Sequence, residues 1–142
     1  MHHGVMRYMC LPGQLELKIQ KIAEKCGCGA ELWPDRDKYD VKITLPDGQV
    51  WAIDAKTHRN PYMLKKSIEN DYDFTHTKAQ KVFYVVSDDC LTDYPDYCKI
   101  CNDALASSFP DSIAKCVSMR NFSKELKGEV EDVKFRNYQK KS

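Results

Sequence analysis

An aspartate and a lysine one residue apart close the stretch Trp51-Ala52-Ile53-Asp54-Ala55-Lys56. On an extended strand, residues two apart share a face, so Asp54 and Lys56 would stand side by side. With a second carboxylate nearby, such a set suits hydrolysis. Carboxylate oxygens hold a hard cation such as Mg²⁺ or Mn²⁺, and a lysine can attend the water beside it. The triplet alone decides nothing, because Glu16-Leu17-Lys18, Asp40-Val41-Lys42, Glu125-Leu126-Lys127 and Asp132-Val133-Lys134 repeat it. The surrounding elements must choose.

A hairpin makes that choice. Leu45-Pro46-Asp47-Gly48 fits a type I turn, with Gly48 taking the left-handed conformation that closes a three-residue loop. That loop pairs Leu45 with Gln49, and counting back along both strands sets Asp40 opposite Asp54. Val41, Ile43, Leu45, Trp51, Ile53 and Ala55 then share the core face. Asp40, Lys42 and Thr44 fall on the other, beside Val50, Ala52, Asp54 and Lys56. Like charges opposed across a strand pair repel, so Asp40 and Asp54 together call for a cation, with the Ala55 carbonyl as a further oxygen donor.

The other elements are a helix in Leu11-Pro12 to Gly27, stopped by Gly27 or Gly29, with Leu15, Ile19, Ile22 and Cys26 on one stripe. A strand is expected near Ala30-Glu31-Leu32-Trp33. Asn60-Pro61 opens a second helix with Met63, Leu64 and Ile68 as its inner face. The apolar run Lys81–Val86 is expected to be a strand buried on both sides. A helix near 101–109 and a short strand near 113–119 follow. The expected fold is α/β (α+β): a central mixed sheet with a β-meander, flanked by helices. One domain, residues 1–142, is expected, with its core over about 11–120, a charged tail over 121–142 that frays, and the whole as a piece of a larger protein.

An acid opening one strand, a hairpin, and acid-x-Lys closing the next, all behind a helix, resembles the PD-(D/E)XK nuclease superfamily, the restriction-endonuclease-like fold. The resemblance spans roughly residues 11–86, and a nuclease-like domain that accompanies bacterial Piwi-like proteins is one match within it. It implies a metal-dependent endonuclease, with DNA preferred over RNA. Asp40 and Asp54 would ligate Mg²⁺ or Mn²⁺, Glu16 on the first helix would join them, and Lys56 would serve the attacking water. A Pro-Asp pair is absent before Asp40, where Lys38-Tyr39 stands. Pro34-Asp35 lies upstream as a competing candidate, but the register favours Asp40.

His58, close behind Lys56, could touch phosphate or shuttle a proton. Tyr62, Lys65 and Lys66 open the second helix where a bound strand would pass, and Lys78, Gln80 and Lys81 could contribute likewise. In the tail, Lys134, Arg136, Lys140 and Lys141 form a basic end. Seven cysteines include the close pairs Cys26/Cys28 and Cys98/Cys101, a spacing suited to structural Zn²⁺, with Cys90 and Cys116 as alternative partners for the second pair. The rival to a nuclease is therefore a non-catalytic, zinc-stabilised module that binds nucleic acid or protein on the same scaffold.

Bulk properties narrow the field. Hydrophobic residues make up 42% of the 142 residues and charged residues 30%, the balance of a globular chain. The net charge is +1, so nucleic-acid binding would depend on a local patch. No long apolar run suggests a membrane span, and the opening Met1–Cys10 lacks a secretory core, so a cytoplasmic location is expected. Double-strand cleavage would need two active sites, hence a homodimer or a larger protein partner.

Overall fold

The computed structural model describes residues 14–32 and 40–141, with side chains to 136. Pro34-Asp35, Lys38-Tyr39 and Pro12 lie outside the described residues. Helix α1, Gln14–Lys25, leads into strand β1, Gly29–Leu32; β2 is Val41–Thr44 and β3 is Val50–Lys56. Two helices, α2 (Pro61–Glu69) and the single-turn α3 (Tyr72–Thr75), cross to β4, Lys81–Val86. Helices α4 (Asp88–Asp93) and α5 (Tyr97–Ser108) cross to β5, Lys115–Ser118, and α6 (Met119–Lys141) ends the chain.

The five strands lie in the order of the sequence, β1 to β5. The first three form an antiparallel meander, while β3, β4 and β5 run parallel. The sheet is therefore mixed, as expected. Turn chemistry sets the register. The Gly48 N–H donates to the Leu45 carbonyl at 2.9 Å, the Leu45 N–H donates to the Gln49 carbonyl at 2.9 Å, and Gly48 takes φ +95°. Val41 is paired with Ile53 and Thr44 with Val50.

Helix α1 stops by a similar local device. Cys28 donates its N–H to the Ala23 carbonyl and Gly27 to the Glu24 carbonyl, with Gly27 at φ +84°. Those are the two bonds of a Schellman cap, which needs a left-handed residue at that position. Open space surrounds a Cβ built there, so Gly27→Ala would be penalised for its backbone alone. We expect a loss of about 1–2 kcal/mol in urea unfolding.

Each sheet face carries its own core. Val41, Ile43, Trp51, Ile53, Phe83 and Val85 pack against Ile19 and Ala23 of α1 and Phe122, Leu126, Val130 and Val133 of α6. Trp51, Phe83 and Phe122 form an aromatic trio with centroids 5.4–6.4 Å apart. The second face buries Ala52, Val82, Tyr84, Val86 and Cys116 under Leu64, Ile68, Phe74, Cys90, Tyr97, Cys101 and Leu105. Strand β4 is thus covered on both sides, as its apolar run requires.

Two expectations change. The segment expected to fray as a charged tail is mostly α6. Its residues 122, 126, 130 and 133 recur at helical spacing and are buried, while the charges between them face outward. On α2, Leu64 and Ile68 point inward but Met63 is 59% exposed. Along β3 the face opposite the hairpin core is covered as well, with Ala52 completely buried in one cluster with Leu64 and Ile68 of α2.

Candidate active site

Lys56, Val86 and Ser118 stand level across β3, β4 and β5. They mark the carboxyl ends of the parallel strands, where open α/β sheets offer a crevice. Asp54 sits two residues before the end of β3. Asp40 stands immediately before β2, with its backbone N–H donating to the Ile53 carbonyl at 3.1 Å. The Asp40 Oδ2 accepts the Ala55 N–H at 2.9 Å, which continues the ladder with a side chain where β2 runs out. The Asp40 and Asp54 side chains come within hydrogen-bonding reach of each other. Lys56 Nζ lies 3.1 Å from Asp54 Oδ2.

This small cluster is largely desolvated. The Asp54 and Lys56 side chains are 14% and 21% exposed. Burial first, and then the hydrogen bond and charge of Asp40, raise the Asp54 pKa from the ordinary carboxylate range to about 8, against the pull of Lys56. Two carboxyls that cannot both ionise comfortably would share a proton or accept a cation. Paired hard oxygens suit a divalent ion of the Mg²⁺ class. The Ala55 carbonyl, by strand geometry, leaves β3 on the same side as the Ala55 N–H that Asp40 holds.

Glu16 is half-buried in the first turn of α1, with Oε2 withdrawn from solvent. Helix α1 feeds β1 at Gly29, opposite Thr44 at the hairpin end, so its first turn lies toward the opposite end of the sheet, the end of Asp40. Among the described residues, however, no three His, Cys, Asp or Glu groups assemble as a metal-holding cluster.

His58 is tied down through its backbone: its carbonyl accepts the Tyr97 hydroxyl and the Cys90 thiol. Tyr62 follows the Asn60 cap of α2, where Asn60 Oδ1 accepts the Tyr62 N–H at 2.9 Å, and its side chain is 55% exposed. Tyr62 and Lys65 line a groove of about 340 Å³ between α2 and α5, with Glu69 and Asp103 also in its wall. Lys66 is exposed nearby. Lys78, Gln80 and Lys81 are removed from the site: Lys81 starts β4, opposite Trp51, and pairs with Glu125 at 2.7 Å. Arg136 pairs with Glu129 and Asp47, at the hairpin end.

Cys26, Cys28, Cys98 and Cys101 do not come together as one zinc site. Cys26 and Cys28 pack with the α1 face, and Cys98 and Cys101 with the α5 face, so the sheet stands between the two pairs.

Tyr84, inside an apolar run, is a neighbour of the Asp54–Lys56 cluster that sequence patterns hide. It is paired with Asp54 on β4, its hydroxyl donates to Asp71 Oδ2 at 2.7 Å, and Lys56 Nζ lies 6.0 Å from its ring centroid. Asp71 fixes the ring through that hydroxyl. Only the parallel pairing of β3 with β4 reveals this, and no local pattern encodes that pairing. Among the described residues, no helix is long and apolar enough to cross a membrane.

A family model described as "REase associating with pPIWI_RE", a restriction-endonuclease-like domain, matches residues 13–134. No curated protein and no solved structure matches the chain.

Proposed function

Because the chain belongs to the family of restriction-endonuclease-like domains associated with pPIWI_RE, we propose that it hydrolyses phosphodiester bonds of nucleic acid, DNA in preference to RNA. The observation that carries this is the pairing of Asp40 with Asp54 beside Lys56, at the carboxyl ends of the parallel strands. Asp40 and Asp54 would hold one Mg²⁺ or Mn²⁺ with the Ala55 carbonyl. Such an ion, when bound, supplies positive charge for the phosphate and a more acidic water.

The chain's own residues do the rest. Lys56 holds the attacking water or takes its proton, and its ammonium offsets charge that builds on the phosphate oxygens. Asp40 is held in place by the Ala55 N–H on Oδ2, and its other carboxylate oxygen would serve the ion. Glu16 acts behind the direct ligands. We expect Glu16→Gln to weaken Mn²⁺-supported cleavage by about 10–100-fold, the usual scale for outer-sphere partners. Titration of activity against Mn²⁺ concentration would register it, and an unchanged curve would remove Glu16 from the site.

The family description also points to a protein partner, and we extend that association to this chain. Its net charge is only +1, and in the groove between α2 and α5 the charge of Lys65 is opposed by Glu69 and Asp103. A nuclease with so little basic surface is well served by a partner that delivers the nucleic acid. Incubation with plasmid, single-stranded DNA and RNA, each with Mg²⁺ or Mn²⁺, tests the activity. Cleavage that is lost with chelation and with Asp54→Asn supports the proposal. Cleavage of none of the three, with and without the partner, overturns it.

A further inference from the structure

Three thiols meet where α5 packs on the edge strand β5. Cys98 and Cys101 come from the first two turns of α5, and Cys116 comes from β5. The Cys116 S–H donates to Cys98 Sγ at 3.9 Å. Cys101 also adjoins Cys116 but directs its own S–H to the Pro61 carbonyl at 3.8 Å. Asn102 holds the pair in position. It lies one turn from Cys98 on the same face of α5 and clasps the Cys116 backbone with both amide atoms. Its Nδ2 donates to the Cys116 carbonyl at 3.0 Å, and its Oδ1 accepts the Cys116 N–H at 2.7 Å. A sheet edge is thereby covered, and the two sulfurs are kept in contact.

We propose that Cys98 and Cys116 form a hydroperoxide-modification site, closing to an intramolecular disulfide. Cys98 is half-buried and within reach of a small oxidant, whereas Cys116 is 1% exposed. Cys98 also sits in the first turn of a helix, where thiolates are favoured, and the bond from Cys116 lowers its pKa below the ordinary thiol value.

The Cys98 thiolate attacks one oxygen of hydrogen peroxide and the O–O bond breaks. The departing hydroxide takes a proton and leaves as water, and Cys98 becomes a sulfenic acid. The Cys116 sulfur then attacks the Cys98 sulfur. The S–S bond forms, and the Cys116 proton leaves with the sulfenic hydroxyl as a second water. Two electrons pass from the thiols to the peroxide. Closing from 3.9 Å to a bond of about 2.0 Å joins two sulfurs that are already neighbours. In a reducing compartment such a disulfide would be transient, as redox-sensing pairs are.

The test treats the full chain with stoichiometric hydrogen peroxide and maps its peptides without reduction. The expected product is a Cys98–Cys116 crosslinked peptide, reversed by dithiothreitol. Cys26→Ser should leave it unchanged, and Cys98→Ser should slow oxidation of Cys116 by at least about tenfold. A Cys98–Cys101 or Cys101–Cys116 link would overturn the assignment, as would sulfinic acid at Cys98 with a free Cys116. Stoichiometric zinc on these thiols in elemental analysis would overturn it too. The wild-type peptide map decides the matter even if Cys98→Ser fails to fold.

Discussion

Lys56→Ala should reduce metal-supported cleavage by about 10²–10⁴-fold, the range a positioned proton-transfer group contributes, while the protein stays folded. Lys56 Nζ lies 3.1 Å from Asp54 and its side chain is 21% exposed, so the substitution removes the cation beside a buried carboxylate. The cluster tolerates that loss. Asp54 is already held toward its protonated form by burial and by Asp40, and losing the lysine only pushes it further that way. A neutral carboxyl hydrogen-bonded to Asp40 needs no cation. Asp54→Asn should abolish cleavage to a similar degree by removing a direct oxygen anion. Circular dichroism and a cleavage time course on both variants check the pair of claims. Activity that survives both substitutions would place the chemistry elsewhere.

Asp54 also predicts how the metal-free protein responds to pH. Folding raises its pKa to about 8, from about 3.9 in an unfolded chain. Between those values the folded chain keeps a proton that the unfolded chain has released. The stabilising contribution is therefore complete below about pH 4 and is lost as pH rises through 8, with a slope approaching about 1.4 kcal/mol per pH unit for this one group. Asn at position 54 cannot ionise, so Asp54→Asn should remove that slope. Urea unfolding in chelator at pH 5, 6 and 7 measures it on both proteins. Parallel stability curves for the two would show that Asp54 titrates normally. The same proton must leave before a cation can bind, so Mn²⁺ affinity should rise about tenfold per pH unit below 8.

Local chemistry explains why so much of the scaffold could be anticipated. Pro46, Asp47 and Gly48 dictate one turn, the turn dictates one register as far as Val41 with Ile53, and Asp40 and Asp54 are the next residues beyond that last pair. Asn60-Pro61 and Gly27 mark helix ends through caps that involve only neighbouring peptide groups. The stripe on α1 and the uninterrupted run on β4 announce their buried faces by spacing alone.

Other features depend on partners far along the chain. The charges around Phe122, Leu126, Val130 and Val133 obscured a stripe that becomes evident once α6 lies on the sheet. Cys26/Cys28 and Cys98/Cys101 look alike as spacings, yet the sheet comes between them. Cys98 instead finds Cys116 through a crossover. Tyr84 reaches Asp54 only because β4 runs parallel to β3 after two intervening helices.

Short-range hydrogen bonding, encoded residue by residue around Gly48, was enough to bring two acids together across a bend. Desolvation was not so encoded. The helices folded over that strand decide whether those acids are ordinary surface charges or a desolvated pair that holds a proton, because burial is a property of the whole packed chain.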